Sequence, residues 1–582
     1  MISECNNISE LVDNPIFQFL QEQLQLMTYS LHGRRYSRYV LILAAELICI
    51  SPATYRFLGN SKTLILPNEK LIRELLNKSL QNNNLQILLE KIEPQQRLVS
   101  ILFDEVKLKK ALRFSDSHII GQALNNQDEL ATSALVIEIV CHHGGPRFVL
   151  SITPVSRLNS TQLSSLLQES VRVIIEKGGC PFVLICDNCP LNQGTYGLLG
   201  GPGHVKLPDG SQIFMIYDYP HIFKNVRNNW ITEAQKQLTF TAAGDKMVAC
   251  WSDIVRLYEE DRKRPIRMTK LTYNSVYPKP LQRQSVPLVY QVFNDKTVAA
   301  LKALSCLLNP NKGTVFFIQM ISEWFRMMSV KDKFQLRFLL DDFRAPWRKD
   351  CESFLKLNVI CDVISTCRWE GSGRREKKLT KFTASALIVT TQYSVSIANY
   401  LFEEHNFTYL LPGPFFSTNP LEKFFGEARQ RVGGNFYIDV MDVTAAAKVQ
   451  RLHQLMKKDV LPIDGESSNS CEICVLEIND EDVDVISEVS LSTIQLLLEN
   501  ETDSLKHTAV YIAGFLTRKY LRFVETEEVL STEFLDELNR GGLSMATLAS
   551  VNFVHCAMNL HASLPKTRKN YLKYFRRLLS FV

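Results

Sequence analysis

The order of the apolar runs between residues 98 and 217 constrains this chain more than any other feature. Leu98-Val99-Ser100-Ile101-Leu102-Phe103, Ser133–Cys141 and Arg147–Thr153 are short and rich in β-branched residues, and they predict three strands. His143-Gly144-Gly145-Pro146 joins the second to the third as a turn. Thr161–Lys177 then places Leu163, Leu166, Val171, Val173 and Ile174 on one helical face. Pro181–Cys186 and Ile213–Tyr217 read as two more strands. Three of these five runs stop against an aspartate: Asp104, Asp187 and Asp218.

Three antiparallel-type strands, a helix and two further strands form the order of an RNase H-like fold. The expected class is therefore α/β, with a mixed five-stranded sheet and helices. In that order the first and fourth strands are neighbours, so Asp104 and Asp187 meet at one end of the sheet. Two-metal phosphoryl transfer needs hard oxygen ligands held in this way, completed by a third carboxylate from a later helix. Taken singly, each aspartate fits a strand-end turn or cap equally well. Pro220 ends strand pairing after Asp218, and His221-Ile-Phe-Lys-Asn-Val-Arg-Asn228 begins a helix carrying cationic and amide groups. That stretch suits phosphate, and it also suits an ordinary surface helix.

The remaining sequence sets bounds. A chain of 582 residues is too long for one core and suggests about three or four domains. The balance of 66 basic against 61 acidic residues gives a net charge of +5, so nucleic-acid binding would depend on a local patch. No run of about 18 uncharged apolar residues predicts a membrane span. MISECNNISELVDNPIF lacks the pattern of a secretory signal, and the fourteen cysteines are expected to be reduced thiols in a cytosolic or nuclear protein.

Five regions follow. Residues 1–95 read as helical: Phe17, Leu20, Leu24 and Met27 recur at helical spacing, Tyr36–Ile50 is a second helix, Ser51-Pro52 opens a third, and Pro67-Asn68 a fourth. Arg34, Arg35, Arg38, Arg56, Lys62 and Lys70 lie between them, as in a helix-turn-helix DNA reader or in a plain bundle with solvated charges. Residues 96–230 hold the first part of the core. Residues 231–410 form a large, mainly helical insertion, and residues 411–464 the second part of the core. Residues 465–582 form a helical region after an acidic linker, with helices over Ser490–Leu498 and Ala509–Tyr520 and a basic, aromatic end.

Several of these residues carry a family resemblance. Asp104-Glu105, Cys186-Asp187, Asp218-Tyr-Pro-His-Ile-Phe-Lys-Asn-Val-Arg-Asn-Asn and Asn419-Pro-Leu-Glu-Lys-Phe-Phe-Gly-Glu-Ala-Arg-Gln-Arg-Val-Gly-Gly434 resemble blocks of the P-element-type transposases, which include THAP-domain relatives. Ser51-Pro52-Ala53-Thr54-Tyr55-Arg56-Phe57-Leu58 and Ala513-Gly514 are similar to other segments of that family. The resemblance implies a nuclear, cut-and-paste DNA transposase that acts on transposon ends and target DNA, works as a homo-oligomer and uses Mg²⁺ or Mn²⁺. It implies Asp104, Asp187 and Glu422 as the metal-binding, catalytic set, with Glu427 as a weaker substitute for Glu422. Asp218, His221, Lys224, Arg227, Arg429 and Arg431 become neighbouring or DNA-binding residues.

The resemblance also implies that the insertion binds GTP, with Lys270 matching a family lysine. Two departures stand against this inheritance. Where relatives carry F-D-x-x-N, this chain reads Phe325-Arg326-Met327-Met328-Ser329, and arginine cannot accept guanine N–H donors. No Walker-type phosphate loop occurs either. At the front, no zinc-finger array of the THAP type precedes residue 95, and Cys471-Glu-Ile-Cys474 lacks the second pair that a zinc site needs. Cys141-His142-His143 reads as structural. The competing expectations are a domesticated or truncated DNA-binding protein without nuclease activity, and an interaction scaffold built on the same fold.

Overall fold

The computed structural model describes residues 15–458 apart from 82, 116–117, 143, 207–211, 233–236, 336–340 and 371–380, together with 460, 529–530 and 546–547. The Cys471–Cys474 pair and the C-terminal helices and basic end anticipated above lie outside the described residues. The chain divides into two compact units, the first formed by Met1–His221 and Val389–Cys471 and the second by Ile222–Ile388 with Glu472–Val582.

The first unit is built on a six-stranded mixed sheet. Its strands are β1 (Leu98–Lys107), β2 (Ser133–Cys141), β3 (Arg147–Val155), β4 (Cys180–Cys186), β5 (Gly203–Lys206) and β6 (Gln212–Tyr217). They lie in the order β3–β2–β1–β4–β6–β5. β1 is antiparallel to β2 and parallel to β4, and β4 is parallel to β6. This is the RNase H-like α/β arrangement expected from the order of apolar runs. β4 is buried from Pro181 to Cys186, because a parallel strand is covered on both faces and a continuous apolar run suits it.

Three details depart from the expectation. β5 adds an edge strand beyond the five anticipated. Two short hairpins, Arg113–Ser115 with His118–Ile120 and Gln122–Ala123 with Asn126–Leu130, fill the connection from β1 to β2. Each is too short for a periodicity signal. β1 also does not stop at Asp104; its pairing with β2 continues to Lys107 opposite Ser133.

Helix starts follow sequence chemistry. Ser51 caps the Thr54 amide with Pro52 in the first turn, and Asn159 forms a capping box with Gln162 for Ser160–Glu176. In Pro15–Thr28, however, Leu20, Leu24 and Met27 are exposed by 53%, 66% and 68%, so the apolar spacing there does not mark a buried face. The next helices do bury theirs. Leu41, Ala44, Ile48, Tyr55, Ile72 and Leu76 share one cluster with Val449, Leu452 and Met456 of the helix Val440–Lys457. His142 bonds to Ser100 at 2.7 Å and stacks on Phe415 with ring centroids 3.7 Å apart, a packing role.

The second unit is mostly helical, and it also holds a three-stranded antiparallel sheet that the sequence reading assigned to helices. Its strands are β7 (Gln237–Ala242), β8 (Asp245–Cys250) and β9 (Arg368–Glu370), with β7 central. Ala243 (φ 50°) and Gly244 (φ 89°) make the two-residue turn between β7 and β8. The helix Lys312–Met328 rests on β8 through Gly313, where an added Cβ would lie 2.4 Å from the Val248 carbonyl oxygen.

Candidate active site

Parallel register brings the strand aspartates together. Leu102 of β1 lies opposite Ile185 of β4, and Tyr217 of β6 lies opposite Cys186. Asp104 and Asp187 each follow their partner by two residues, and Asp218 and Asp187 each follow theirs by one. The Asp218 amide donates to the Cys186 carbonyl at 2.8 Å, which fixes this edge. Asp104, Asp187 and Asp218 therefore stand in a row across three adjacent parallel strands. Glu422 reaches the same end from the first turn of the helix Asn419–Arg431.

The charges in this row are felt most at Asp104. Burial first, and the Asp187 carboxylate second, push its carboxyl up to about 7. Glu422 adds to the rise, while the Glu105 amide and His221 oppose it. The Glu105 amide donates to Asp104 Oδ1 at 2.7 Å. Asp187 Oδ1 accepts from Asn192 Nδ2 at 2.5 Å, and the same amide group donates to the Asp187 carbonyl at 3.2 Å. Asn192 is a site residue that the sequence reading missed. Its only signal was its place in the first turn of the helix opened by Pro190.

Asp218 is differently engaged. It is 1% exposed. Its Oδ1 accepts from the Thr418 amide at 2.8 Å, and its Oδ2 accepts from the His221 amide at 3.1 Å. His221 Nδ1 lies 2.6 Å from the same Oδ2, and His221 Nε2 lies 3.9 Å from Glu422 Oε1. Asp218 thus joins the end of β6 to the start of the helix that carries Glu422, and its oxygens are taken by protein donors. Glu422 keeps 47% of its side chain exposed. Among the described residues, no three His, Cys, Asp or Glu side chains are drawn close enough to enclose a metal ion.

The other anticipated residues scatter. Arg227 is fully buried in the second unit, where its Nη2 donates to the Arg283 carbonyl at 3.0 Å and its Nε to Asn228 Oδ1 at 2.9 Å. Burial lowers its pKa to about 10. With no face open to a phosphate, it is a structural residue. Lys224 is also buried, at 6% exposure. Arg431 pairs with Glu46 at 3.5 Å and keeps 15% of its side chain exposed, so it packs inside the first unit. The Arg429 guanidinium lies 5.0 Å over the Phe436 ring. Glu427 faces Lys423 at 3.8 Å. Lys270 is exposed on a turn that Asp261 holds by accepting the Met268 and Thr269 amides at 2.8 and 3.0 Å.

Residues 77–200 match the family model described as the TNP-like RNase H N-terminal domain, and residues 220–339 match the TNP-like GTP-binding insertion domain. The chain is 22% identical over 474 residues to the transposable element P transposase of Drosophila melanogaster, which covers 78% of this chain and 59% of that protein. The chain therefore spans about 59% of the length of this curated relative. In solved structures, its fold is similar to that of the Drosophila P element transposase strand transfer complex, with TM-score 0.59, 18% identity, and coverage of 78% of this chain and all of the other. Two segments of this chain thus match TNP-like transposase domains, and over 78% of its length the chain is similar to a P-element transposase.

Proposed function

We propose that the protein is a P-element-like DNA transposase that cleaves DNA strands and transfers their 3′ ends at Asp104, Asp187 and Glu422. The observation that carries this reading is the row of carboxylates. Two aspartates stand on adjacent parallel strands, and Glu422 is close enough to raise the Asp104 pKa together with Asp187. Two carboxylates on adjacent strands, with a third on a facing helix, offer an all-oxygen donor set of the kind that suits Mg²⁺ or Mn²⁺. When bound, such ions would supply activation of the attacking oxygen and stabilisation of the leaving one.

The protein's own contributions are those of holding and aligning. Asp104 and Asp187 present oxygens from two paired central strands of the sheet. Asn192 fixes the rotamer of Asp187 by donating to Oδ1. Asp218 is a positioning residue: it holds the Thr418 amide and orients His221, which in turn borders Glu422. DNA ends and target DNA are the proposed substrates, a homo-oligomer the proposed working form, and the nucleus its place of action.

The absence of a closed three-ligand cluster among the described residues favours one second reading, a DNA-binding relative without nuclease activity. One experiment separates the two. DNA carrying the flanking inverted repeats is incubated with the protein and Mg²⁺, and nicked product is quantified for the wild type and for Asp187→Ala. The transposase reading expects Mg²⁺-dependent nicking that the substitution abolishes. Equal product from both proteins, or none from the wild type despite DNA binding, would sink it.

A further inference from the structure

The family model matched over residues 220–339 has GTP in its description, and the residues here do not fit that nucleotide. The mismatch centres on Arg326, in the last turn of the helix Lys312–Met328. The resemblance places an acidic residue of the relatives at this position. A guanine edge offers N–H donors and needs acceptors, whereas a guanidinium offers only donors.

Nearby acidic groups do not make up the loss, because Arg326 already holds them. Its side chain is 1% exposed, and its Nη1 lies 3.0 Å from Asp295 Oδ2 and 3.1 Å from Asp341 Oδ2. Asp341 also takes Arg344 Nε at 3.3 Å and accepts from the Phe343 amide at 3.2 Å. The guanidinium lies 4.6 Å from the centre of the Phe343 ring, and Lys356 lies 4.7 Å from the same centre. Phe325, the adjacent aromatic, is stacked on Phe223 with centroids 3.9 Å apart and planes 13° apart. Acidic acceptors and aromatic faces in this neighbourhood are thus engaged by the protein itself.

We infer that Arg326 locks the insertion from within, binding Asp295 and Asp341 in an internal ion-pair network, so that this domain is held together without GTP. Asp295 opens the helix Asp295–Ala303, and Asp341 caps the turn Asp342–Arg344. The network therefore ties these two stretches to the helix Lys312–Met328 through one guanidinium. Lys270 remains exposed, and a single cation on a turn does not make a nucleotide site.

The test uses the full chain and has two arms, neither of which measures strand cleavage, so it stands apart from the metal-site reading. In the first, the wild type is titrated calorimetrically with GTP in the presence of Mg²⁺, and its thermal midpoint is followed at millimolar GTP. No binding heat and no shift are expected; a saturable rise in midpoint overturns the inference. In the second, Arg326→Met is compared with the quadruple variant Arg326→Met/Asp295→Asn/Asp341→Asn/Arg344→Gln, which also neutralises the second guanidinium on Asp341. Removing one partner of a buried ion pair strands the other, whereas neutralising the whole set does not. The midpoint should fall in the single variant and recover most of the loss in the quadruple. Equal losses in both, or no loss in the single variant, would refute the lock.

Discussion

Glu138 sits in the middle of β2 with no exposed surface, and its neighbours decide its charge. Gln450 Nε2 donates to its Oε1 at 2.6 Å, and Arg147 Nε lies 3.6 Å away. Burial outweighs both and raises the carboxyl from an ordinary 4.5 to about 7. The folded state therefore binds this proton more tightly than the unfolded chain does. The resulting stability is present in full below the unfolded value near 4.5 and is lost as the pH rises towards about 7. Glu138→Gln keeps the shape and removes the titration. Urea midpoints measured from about pH 5 to about pH 7 should fall for the wild type and be flatter for the variant. Parallel curves would show that the carboxyl is ionised throughout.

At the scale of elements, Asp218 is the joint. It receives amides from two helix starts, at Thr418 and His221, while its own amide completes the ladder to β4. Asp218→Asn keeps the volume and one acceptor oxygen but weakens the pairing with His221. On the proposed metal-binding role of Glu422, strand nicking should fall by about 10–100-fold, the range typical of residues that orient metal ligands. The circular dichroism spectrum should stay unchanged and DNA affinity should be retained. Full loss of folding would instead make Asp218 a core residue, and unaltered nicking would remove it from the site.

At the scale of the molecule, the first unit is assembled from distant sequence. Helices over residues 38–78 share a core with Val440–Lys457, so the N-terminal region is anchored to the end of the core domain. Leu452 has no exposed surface in that cluster. Leu452→Ala should cost about 2–5 kcal/mol and increase proteolysis across the N-terminal helices as well as around the cavity. If those helices folded by themselves, their protease resistance would not change.

The same scale explains what could be read in advance. The five main strands and their aspartates were legible because buried strands are written as short apolar runs, and chain order limits how such strands can pair. Glu422 was legible through the Asn419–Gly434 block and its place at a helix start after Asn419-Pro420, while nothing in its spacing ties a residue so far along the chain to that end of the sheet. The hairpin of β7 and β8 was not legible. Its turn uses Ala243, a residue that gives no turn signal, and β7 buries Leu238, Thr239 and Phe240 in succession instead of alternating. Arg227 looked like a phosphate ligand because a cationic side chain in a sequence carries no mark of burial. The carbonyls that hold it come from Gln282 and Arg283, more than fifty residues on.

The extension of β1 to Lys107 has a mechanical consequence. Asp104 is planted within a ladder that continues past it, so its carboxylate rides on backbone that cannot swing. Glu422 stands on a helix's first turn with nearly half its side chain in solvent. One side of the site is therefore held by backbone pairing, and the other ends in a half-exposed side chain. Rotation about the Glu422 side chain can change its reach while the aspartates stay where the strands hold them.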